Sequence, residues 1–285
     1  MKRLDTSELI FKILAYVLVT LFALATLYPL LFSLSSALSG REAVDGGQVV
    51  LFPIDIQLTA FRQFFTNPDY ARDFWNSYTN TLFYTLYGTA FSMFLTIGAA
   101  YALSKTNLLF KRQINFFIVF TMWFSAGIMP TFLNLQMLGV NNRWGIIYGF
   151  GVQAFNIILL RNYFLGISKE IEEAAIVDGA NEFQVLTSIY LPMSKSALAT
   201  VTLFYALNRW NGFFWNQRMV GSVEHPLQVI LRNIVADPDA PVNPYFSLIS
   251  LSYAAIVLSI IPILAVYPIL QKYMSAGVNT GGVKE

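Results

Sequence analysis

The chain has 285 residues, of which 56% are hydrophobic and only 12% are charged, and its net charge is +2. Soluble domains carry about 25% charged residues, so this composition predicts a polytopic membrane protein and gives no support to nucleic-acid binding. Cysteine is absent and His225 is the only histidine, which argues against a disulfide framework, a thiolate or histidine-rich metal site and a histidine-dependent hydrolase.

Six apolar runs are long enough to cross the hydrocarbon core of a bilayer, which needs about 20 residues per helix. The predicted spans cover about 13–36, 79–104, 114–138, 144–164, 196–215 and 248–271. The first span is longer than a signal-peptide core and lacks a small-residue cleavage site, so we expect it to be retained. Pro130 in the third span and Pro262 and Pro268 in the sixth predict kinks. The predicted fold is an all-α polytopic membrane protein with a single domain over 1–285.

Lysine and arginine residues near the span ends predict the orientation of the chain. One set of short segments holds eleven of the eighteen basic residues, namely Lys2, Arg3, Lys12, Lys105, Lys111, Arg112, Arg161, Lys169, Lys195, Lys272 and Lys284. The only short loop on the other side, 139–143, holds Arg143 alone. We therefore expect both termini, and the segment 168–192 between the fourth and fifth spans, to be cytoplasmic.

Segment 168–192 is polar and favours helix, although it lies between two apolar runs. Ser168 is a suitable N-cap for a first helix, with acidic residues following in the first turn. Gly179 suits a helix C-terminal turn that needs a positive φ. Spacing places one set of residues on a common helical face, and its small alanines would allow another surface to approach closely: Ile171, Ala174, Ala175 and Asp178.

The second half of this segment predicts another short helix. Asn181 followed by Gln184 has the pattern of a capping box that opens the helix. An apolar stripe is expected along it, formed by Phe183, Leu186 and Tyr190. Pro192 is expected to end it before the fifth span begins. The prediction is a helix–turn–helix that lies across the inner face of the membrane.

The same segment carries seven residues at a fixed spacing: Glu173, Ala174, Ala175, Gly179, Ile189, Leu191 and Pro192. This spacing resembles the EAA loop of bacterial ABC importer permeases. The resemblance implies that the loop, Asp178 included, docks into a cleft on a cytoplasmic ATPase subunit and passes its motion to the spans. We expect Glu173 to pair with a basic group of the ATPase. The alternative interpretation is a generic amphipathic connector that rests on the lipid surface.

Three further features resemble the carbohydrate-uptake group of these permeases, in particular the maltose-type subunit with six helices. They are the segment 161–165 before the loop, Trp210 with Asn211 after it, and the glycine-rich tail 277–284. Glu285 departs from the family pattern, in which glycine is usual. The resemblance implies that the tail reaches between two ATPase subunits through Gly277, Gly281, Gly282 and Lys284.

Two long segments are expected on the outer side. The first, 39–78, predicts a short amphipathic helix around 58–65. The second, 217–247, is rich in proline, and the resemblance implies that it probes the sugar cleft of a solute-binding protein. An ordinary solvated loop is the alternative interpretation of the second segment.

Arg209 is the one charge well inside the fifth predicted span. Intramembrane charges usually face a bundle interior or a water-filled cavity, and an arginine suits a uronic acid carboxylate. The candidate substrate path consists of Tyr205, Arg209, Trp210, Asn211 and Trp215. The alternative is that Arg209 snorkels to the outer interface beside an aromatic belt.

The resemblance implies a permease subunit of an ATP-driven, binding-protein-dependent importer of an oligosaccharide, with an acidic or complex glycan as one possibility. Its expected partners are a second homologous permease, two cytoplasmic ATPase subunits and an extracytoplasmic binding protein. Translocation would proceed by alternating access in the bacterial plasma (inner) membrane. The sequence has no phosphate-binding lysine motif, so ATP and magnesium are expected on the ATPase, and we predict no catalytic, metal or cofactor site in this chain.

Three other functions remain open from the sequence. An ABC importer for a non-sugar solute would share the loop, although the tail and Trp210-Asn211 favour sugar. A membrane-embedded enzyme would need clustered polar residues inside the spans, and only isolated ones occur. A proton-coupled secondary carrier would need membrane carboxylates, but no Asp or Glu lies within a predicted span.

Overall fold

The computed structural model describes residues 6–236 and 246–281, and within these ranges the secondary structure is entirely helical. The α-helices, numbered α1 to α15 in chain order, are Thr6–Ala37, Arg41–Asp45, Thr59–Thr66, Pro68–Ser104, Lys111–Trp123, Ile128–Met137, Arg143–Gly149, Ala154–Leu165, Lys169–Val177, Glu182–Val185, Leu191–Met193, Lys195–Trp210, Phe214–Met219, Leu227–Ala236 and Leu248–Gly281. A π-helix at Leu186–Tyr190 joins α10 to α11, and a 3-10 helix occupies Ser222–Glu224. The all-α prediction is confirmed for the described residues.

Within the described ranges, three helices are long and apolar enough to cross a membrane, at Ser7–Ala37, Pro68–Ser104 and Leu248–Ile269. Two bent helix pairs, α5 with α6 and α7 with α8, raise the number to five if each pair is one span. The remaining predicted span, 196–215, corresponds to α12, which has only 16 residues. The chain is therefore a multi-pass membrane protein, while the count of six stays a prediction.

The bend in the third predicted span does not fall at Pro130. The third predicted span is broken between Trp123 and Ile128, where the chain turns by 119°. Gly127 enables this turn with a φ of +83°, and Pro130 lies in the first turn of α6, where a missing N–H costs little. The last helix continues without interruption through Pro262 and Pro268. These two prolines therefore do not end the helix that contains them.

The described residues divide into two compact units. The first lies within Met1–Trp75 and Ile230–Ile261, and the second within Asn76–Val229 and Pro262–Glu285. The single-domain prediction stays untested by this division. Segment 168–192 and the cavity described below belong to the second unit.

In the first unit, the segment after α1 is fastened to the end of that helix. The Ser35 hydroxyl donates to the carbonyl of Leu51 at 2.7 Å, and the amide of Gln57 donates to the carbonyl of Leu38 at 2.8 Å. The amphipathic helix predicted around 58–65 is present as α3, with Phe64 buried.

In the second unit, α4, α8, α12 and the segment 168–192 share a hydrophobic core. Its fully buried members are Ala100, Leu160, Phe164, Val185, Tyr190, Ala197, Val201 and Tyr205. A second buried cluster lies beside it, formed by Tyr84, Leu135, Ile146, Ile147, Met219 and Val220. Burial of such side chains contributes about 1.5–3 kcal/mol each, which explains why a short polar segment is held firmly against the spans.

Candidate functional site

The first helix of segment 168–192, α9, begins and ends as predicted. The Ser168 hydroxyl caps it by accepting a hydrogen bond from the amide of Glu170 at 3.2 Å. Gly179 follows the helix with a φ of +89°, and the amide of Ala180 donates to the carbonyl of Ala175 at 2.9 Å. Such a left-handed turn satisfies carbonyls at a helix end and strongly favours glycine.

The second helix opens with the predicted capping box. The amide of Gln184 donates to Asn181 Oδ1, and the amide of Asn181 donates to Gln184 Oε1, both at 2.9 Å. The helix ends at Met193, one residue after Pro192, because α10 continues through the π-helix into α11. The amide of Leu191 bonds to the carbonyl of Leu186, five residues back. This wider turn lets the chain continue into Pro192, which has no N–H to donate.

The motif residues of the segment separate into two faces. Ala175, Ile189 and Leu191 pack inward against the core of the second unit. Glu173 and Ala174, by contrast, are exposed. The structure therefore anchors one face of the loop and leaves the other face available.

Exposed apolar side chains accompany these outward motif residues. Val177 is 86% exposed and Phe183 is 73% exposed, and Asp178 and Gly179 are exposed as well. The predicted stripe on the second helix is therefore wrong for Phe183, whereas Tyr190 is buried and Leu186 is partly buried. Single exposed apolar residues are normal, but here they lie together with Glu173 on one short segment.

A cluster of charges, which the sequence did not indicate, holds this segment against the end of α4. The Lys105 ammonium forms ion pairs with both Glu172 of α9 and Glu182 of α10, the latter at 3.2 Å. Tyr101 donates to Glu182 Oε2 at 2.5 Å, and Tyr190 donates to Glu172 Oε2 at 2.5 Å. The ammonium also lies 4.3 Å from the centre of the Tyr101 ring. We call these five residues the Lys105 cluster.

The pKa directions in the Lys105 cluster match its geometry. Burial lowers the pKa of Lys105, but hydrogen bonds with Glu172, Tyr101 and Glu182 outweigh burial and hold the pKa above its ordinary 10.5. Burial raises the pKa of Glu172, yet hydrogen bonds from Lys105 and Tyr190 bring it below 4.5. The hydrogen bond from Tyr101 lowers the pKa of Glu182. The lysine is therefore charged and both carboxylates are ionised at neutral pH.

Arg209 is buried, with only 6% of its surface exposed. Its Nη1 donates to the carbonyl of Ile146 at 2.9 Å, and its Nη2 donates to those of Ile147 at 3.1 Å and Phe150 at 2.7 Å. These carbonyls belong to the last turn of α7 and to the residue that follows it. The snorkelling alternative is wrong, because the guanidinium caps a helix C-terminus, where a cation is favoured.

Two further contacts support the interruption between α7 and α8. The amide of Gln153 donates to the Tyr205 hydroxyl at 3.1 Å, and this hydroxyl is 2.7 Å from Thr96 Oγ1. Gly88 of α4 makes room for Arg209, since a Cβ there would lie 2.8 Å from the Arg209 Nε. Non-helical backbone is tolerated at membrane depth only where protein groups or a cavity satisfy it. Helix α12 supplies those groups here.

A cavity of about 790 Å³ adjoins this interruption. Its polar lining residues include Gln153, Asn208, Asn211 and Asn216. Its apolar wall is largely aromatic, from Tyr84, Phe150, Phe204, Phe213, Phe214 and Trp215. Asn208 and Asn211 are exposed, so their amides are available to a ligand. Amides beside aromatic faces suit sugar hydroxyls and sugar rings.

The five predicted substrate-path residues have different surroundings. Asn211, Trp215 and Arg209 line the cavity, although Arg209 directs its Nη groups at backbone carbonyls. Tyr205 is buried, and its hydroxyl forms hydrogen bonds with Thr96 and with the amide of Gln153. Trp210 is buried, with its ring 6.1 Å from that of Tyr78. Neither Tyr205 nor Trp210 lines the cavity, and both side chains are buried in the surrounding packing.

The described residues include only part of the predicted outer segment 217–247 and of the predicted tail 277–284. Glu224 pairs with Arg143 at 2.8 Å, and Asn80 donates to the carbonyl of Val223 at 2.8 Å, which fixes the start of segment 217–247. Residues 237–245 of that segment lie outside the described residues. Helix α15 includes Gly277 and Gly281, whereas Gly282 and Lys284 lie outside the described residues.

The sequence reasoning missed Gly88, Lys105, Glu172 and Glu182. In the sequence, Lys105 indicates only the orientation of the spans, and Glu172 stands next to the motif residue Glu173. A lone lysine just past a span, followed by acids in the next cytoplasmic loop, is the signal that could have indicated the Lys105 cluster. The close approach of Arg209 to Gly88 has no local signal, because the two residues are far apart in the chain.

Comparisons with known proteins agree with this geometry. No protein-family model matches the chain. The polygalacturonan/rhamnogalacturonan transport system permease protein YtcP of Bacillus subtilis is 34% identical, covering 96% of this chain and 98% of the relative. The maltodextrin transport system permease protein MdxG of the same organism is 27% identical, covering 98% and 99%.

A solved structure is also similar over nearly the whole chain. It is the crystal structure of a bacterial ABC transporter involved in the import of the acidic polysaccharide alginate. The matching chain is 43% identical with a TM-score of 0.86, covering 96% of this chain and 99% of that chain. The chain therefore belongs to the family of permease subunits of carbohydrate ABC importers, and it is a membrane-embedded transport subunit and not itself an enzyme.

Proposed function

We propose that the chain forms part of the translocation path of an ATP-driven importer that takes up an oligosaccharide, and that acidic glycans are among its substrates. The observation that carries this proposal is the two-faced segment 168–192. One face is anchored in the core and in the Lys105 cluster, and the other presents Glu173, Ala174 and Val177 outward. A rigidly backed, exposed helical surface is what a motor subunit needs in order to push on the spans.

The proposed topology has six spans with both termini and segment 168–192 in the cytoplasm, in the bacterial inner membrane. The distribution of lysine and arginine supports this orientation. Helix α12 serves as the fifth span although it has only 16 residues. Sixteen residues cover about 24 Å at 1.5 Å per residue.

The proposed partners are those that such importers need. A second, homologous permease would complete the path, and two ATPase subunits would bind ATP and magnesium and dock on segment 168–192. An extracytoplasmic binding protein would deliver the sugar near segment 217–247. The tail residues Gly277, Gly281, Gly282 and Lys284 are proposed to reach between the ATPase subunits.

The cavity beside the α7–α8 interruption is the proposed sugar contact of this subunit. Asn208, Asn211 and Gln153 offer donors and acceptors, and Trp215 offers an aromatic face. Arg209, Tyr205 and Trp210 hold its walls in place. Alternating access would open this cavity to one side of the membrane at a time.

The test is the ATPase activity of the reconstituted assembly, with and without sugar-loaded binding protein. Glu173→Lys should abolish the stimulation that the wild type shows, because a desolvated charge that loses its partner costs several kcal/mol. Asp73→Lys is a matched control, since Asp73 is an exposed helical acid in the proposed outer segment, and it should be stimulated normally.

Two outcomes would contradict the proposal. Equal stimulation of Glu173→Lys and wild type would remove Glu173 from the docking role. Failure of the wild type to recruit any ATPase would overturn docking on segment 168–192 altogether.

A further inference from the structure

The Lys105 cluster joins three parts of the chain through one ammonium group. Lys105 follows the last residue of α4, Ser104, directly. Its carboxylate partners, Glu172 and Glu182, lie on the two separate helices of segment 168–192. One lysine thus bridges the inner end of the second predicted span to both helices of the coupling segment.

Two tyrosines complete the cluster by binding the same carboxylates. Tyr101 lies one turn before Lys105 and donates to Glu182, while Tyr190 ends the π-helix and donates to Glu172. Their rings meet edge to face with centroids 5.0 Å apart, and both lie against the Lys105 ammonium. Each carboxylate therefore has a cationic and a phenolic donor, which fixes its direction as well as its charge.

The cluster lies directly beside the exposed face of segment 168–192, so movement of that face must also move the cluster. Glu172 is adjacent to Glu173, so the inward and outward groups of α9 are neighbours on one rigid turn. A displacement of the outward face must move Glu172 and therefore Lys105. The route through α11 into α12 is covalent, whereas the route through Lys105 reaches α4 across space.

We propose that Lys105 is a positioning residue that transmits motion of segment 168–192 to the second span, in parallel with the covalent route to the fifth. The inference rests on the proposed docking role of this segment. Lys105 contacts neither sugar nor ATPase in this scheme. It acts by keeping Glu172 and Glu182 on the end of α4, where the two carboxylates would otherwise repel each other and separate from it.

The experiment uses the complete reconstituted importer in vesicles and measures solute imported per ATP hydrolysed. Lys105→Met should still recruit the ATPase and respond to loaded binding protein, but its solute-to-ATP ratio should fall about five-fold or more, the scale of a lost coupling interaction. Lys105→Arg should restore most of the ratio, since a guanidinium can bind both carboxylates. Lys195→Met is the control, because Lys195 is an exposed lysine at the start of α12.

A milder variant keeps the test valid if Lys105→Met does not fold. Glu182→Gln removes one ion pair at a side chain that is 69% exposed, and it should lower the ratio less than Lys105→Met does. An unchanged ratio in both variants overturns the inference. Loss of ATPase recruitment together with the ratio also overturns it, because Lys105 would then only maintain the fold of the segment. Failure of the wild type to recruit the ATPase would instead contradict the docking proposal.

Discussion

Arg209 is a buried charge in the second unit, and it supplies hydrogen-bond donors to the interrupted backbone between α7 and α8. Three carbonyls at this interruption accept hydrogen bonds from its guanidinium. An unsatisfied carbonyl in a low-dielectric environment costs several kcal/mol. The wall of the cavity therefore depends on a side chain from another helix, α12.

We predict that Arg209→Ala destabilises the protein and does not change its charge selectivity. Loss of three buried hydrogen bonds should lower the free energy of unfolding by about 3 kcal/mol or more, seen as a lower melting temperature in detergent. Gly88→Ala should have a smaller effect in the same direction, because its Cβ would displace Arg209. Arg62→Ala is the control, since Arg62 is exposed on α3. Normal melting of Arg209→Ala would contradict this assignment.

The role of Arg209 was not readable from its own surroundings in the sequence. Position within an apolar run indicated only that the charge needs a partner, which left a cavity and the outer interface as alternatives. The partners are backbone carbonyls about 60 residues earlier in the chain. No side-chain pattern marks them, because every residue has a carbonyl group.

Among the helical elements, segment 168–192 was predicted in most detail. Its Ser168 cap, Gly179 turn and Asn181–Gln184 box involve neighbours within five residues, so local sequence is enough to predict them. The π-helix was not predicted, since it depends on packing of Tyr190 as well as on Pro192. The break at 124–127 was missed because the apolar run continues through it.

The linkage between charge and stability in α9 gives a pH prediction. Glu172 has a pKa below its ordinary 4.5, so its contribution to stability is complete above that pH and is lost as the pH falls through the folded value. Lys105 has a raised pKa, so its contribution is complete below 10.5 and is lost at higher pH. The Lys105 cluster is therefore fully stabilising between these two values.

Glu172→Gln should lower the free energy of unfolding by about 1.5–3 kcal/mol at pH 7, the value of hydrogen bonds to a charged group. The difference in melting temperature from wild type should shrink as the pH falls from 4.5 through the lower folded pKa of Glu172, because wild-type Glu172 becomes protonated over this range. Glu170→Gln, at an exposed position on the same helix, should show little difference at either pH. If the difference in melting temperature between Glu172→Gln and wild type stayed constant with pH, the carboxylate charge would not be what stabilises α9.

At the scale of the whole second unit, one packed core extends from the coupling segment to the cavity wall. Tyr190 of the segment and Tyr205 of α12 are both fully buried members of it. The rings of Tyr190 and Phe164 lie 5.3 Å apart, and Tyr205 bonds to the backbone of Gln153 at the cavity. Densely packed cores transmit displacement, so this core is a physical route from the proposed docking segment to the proposed sugar contact.

In its proposed role as a sugar contact, the cavity at the end of this route can distinguish only the chemical groups that its lining can bind. Arg209 is the only cation among the residues that line it in the described part of the chain, and its Nη groups bind carbonyls. The side-chain amides of Asn208 and Asn211 remain available. We therefore expect this subunit to bind hydroxyls, and expect recognition of acidic groups to come from its partners.

The combined variant Asn208→Ala with Asn211→Ala should reduce the uptake of acidic and neutral oligosaccharides by similar factors. Two hydrogen bonds of about 0.5–1.5 kcal/mol each correspond to a reduction of about 5- to 150-fold. The measurement is the initial uptake rate in vesicles that contain the complete importer and its binding protein. Asn107→Ala, at an exposed position between α4 and α5, should transport normally. A loss confined to acidic sugars would contradict the assignment, because an amide pair cannot select carboxylates without also serving hydroxyls.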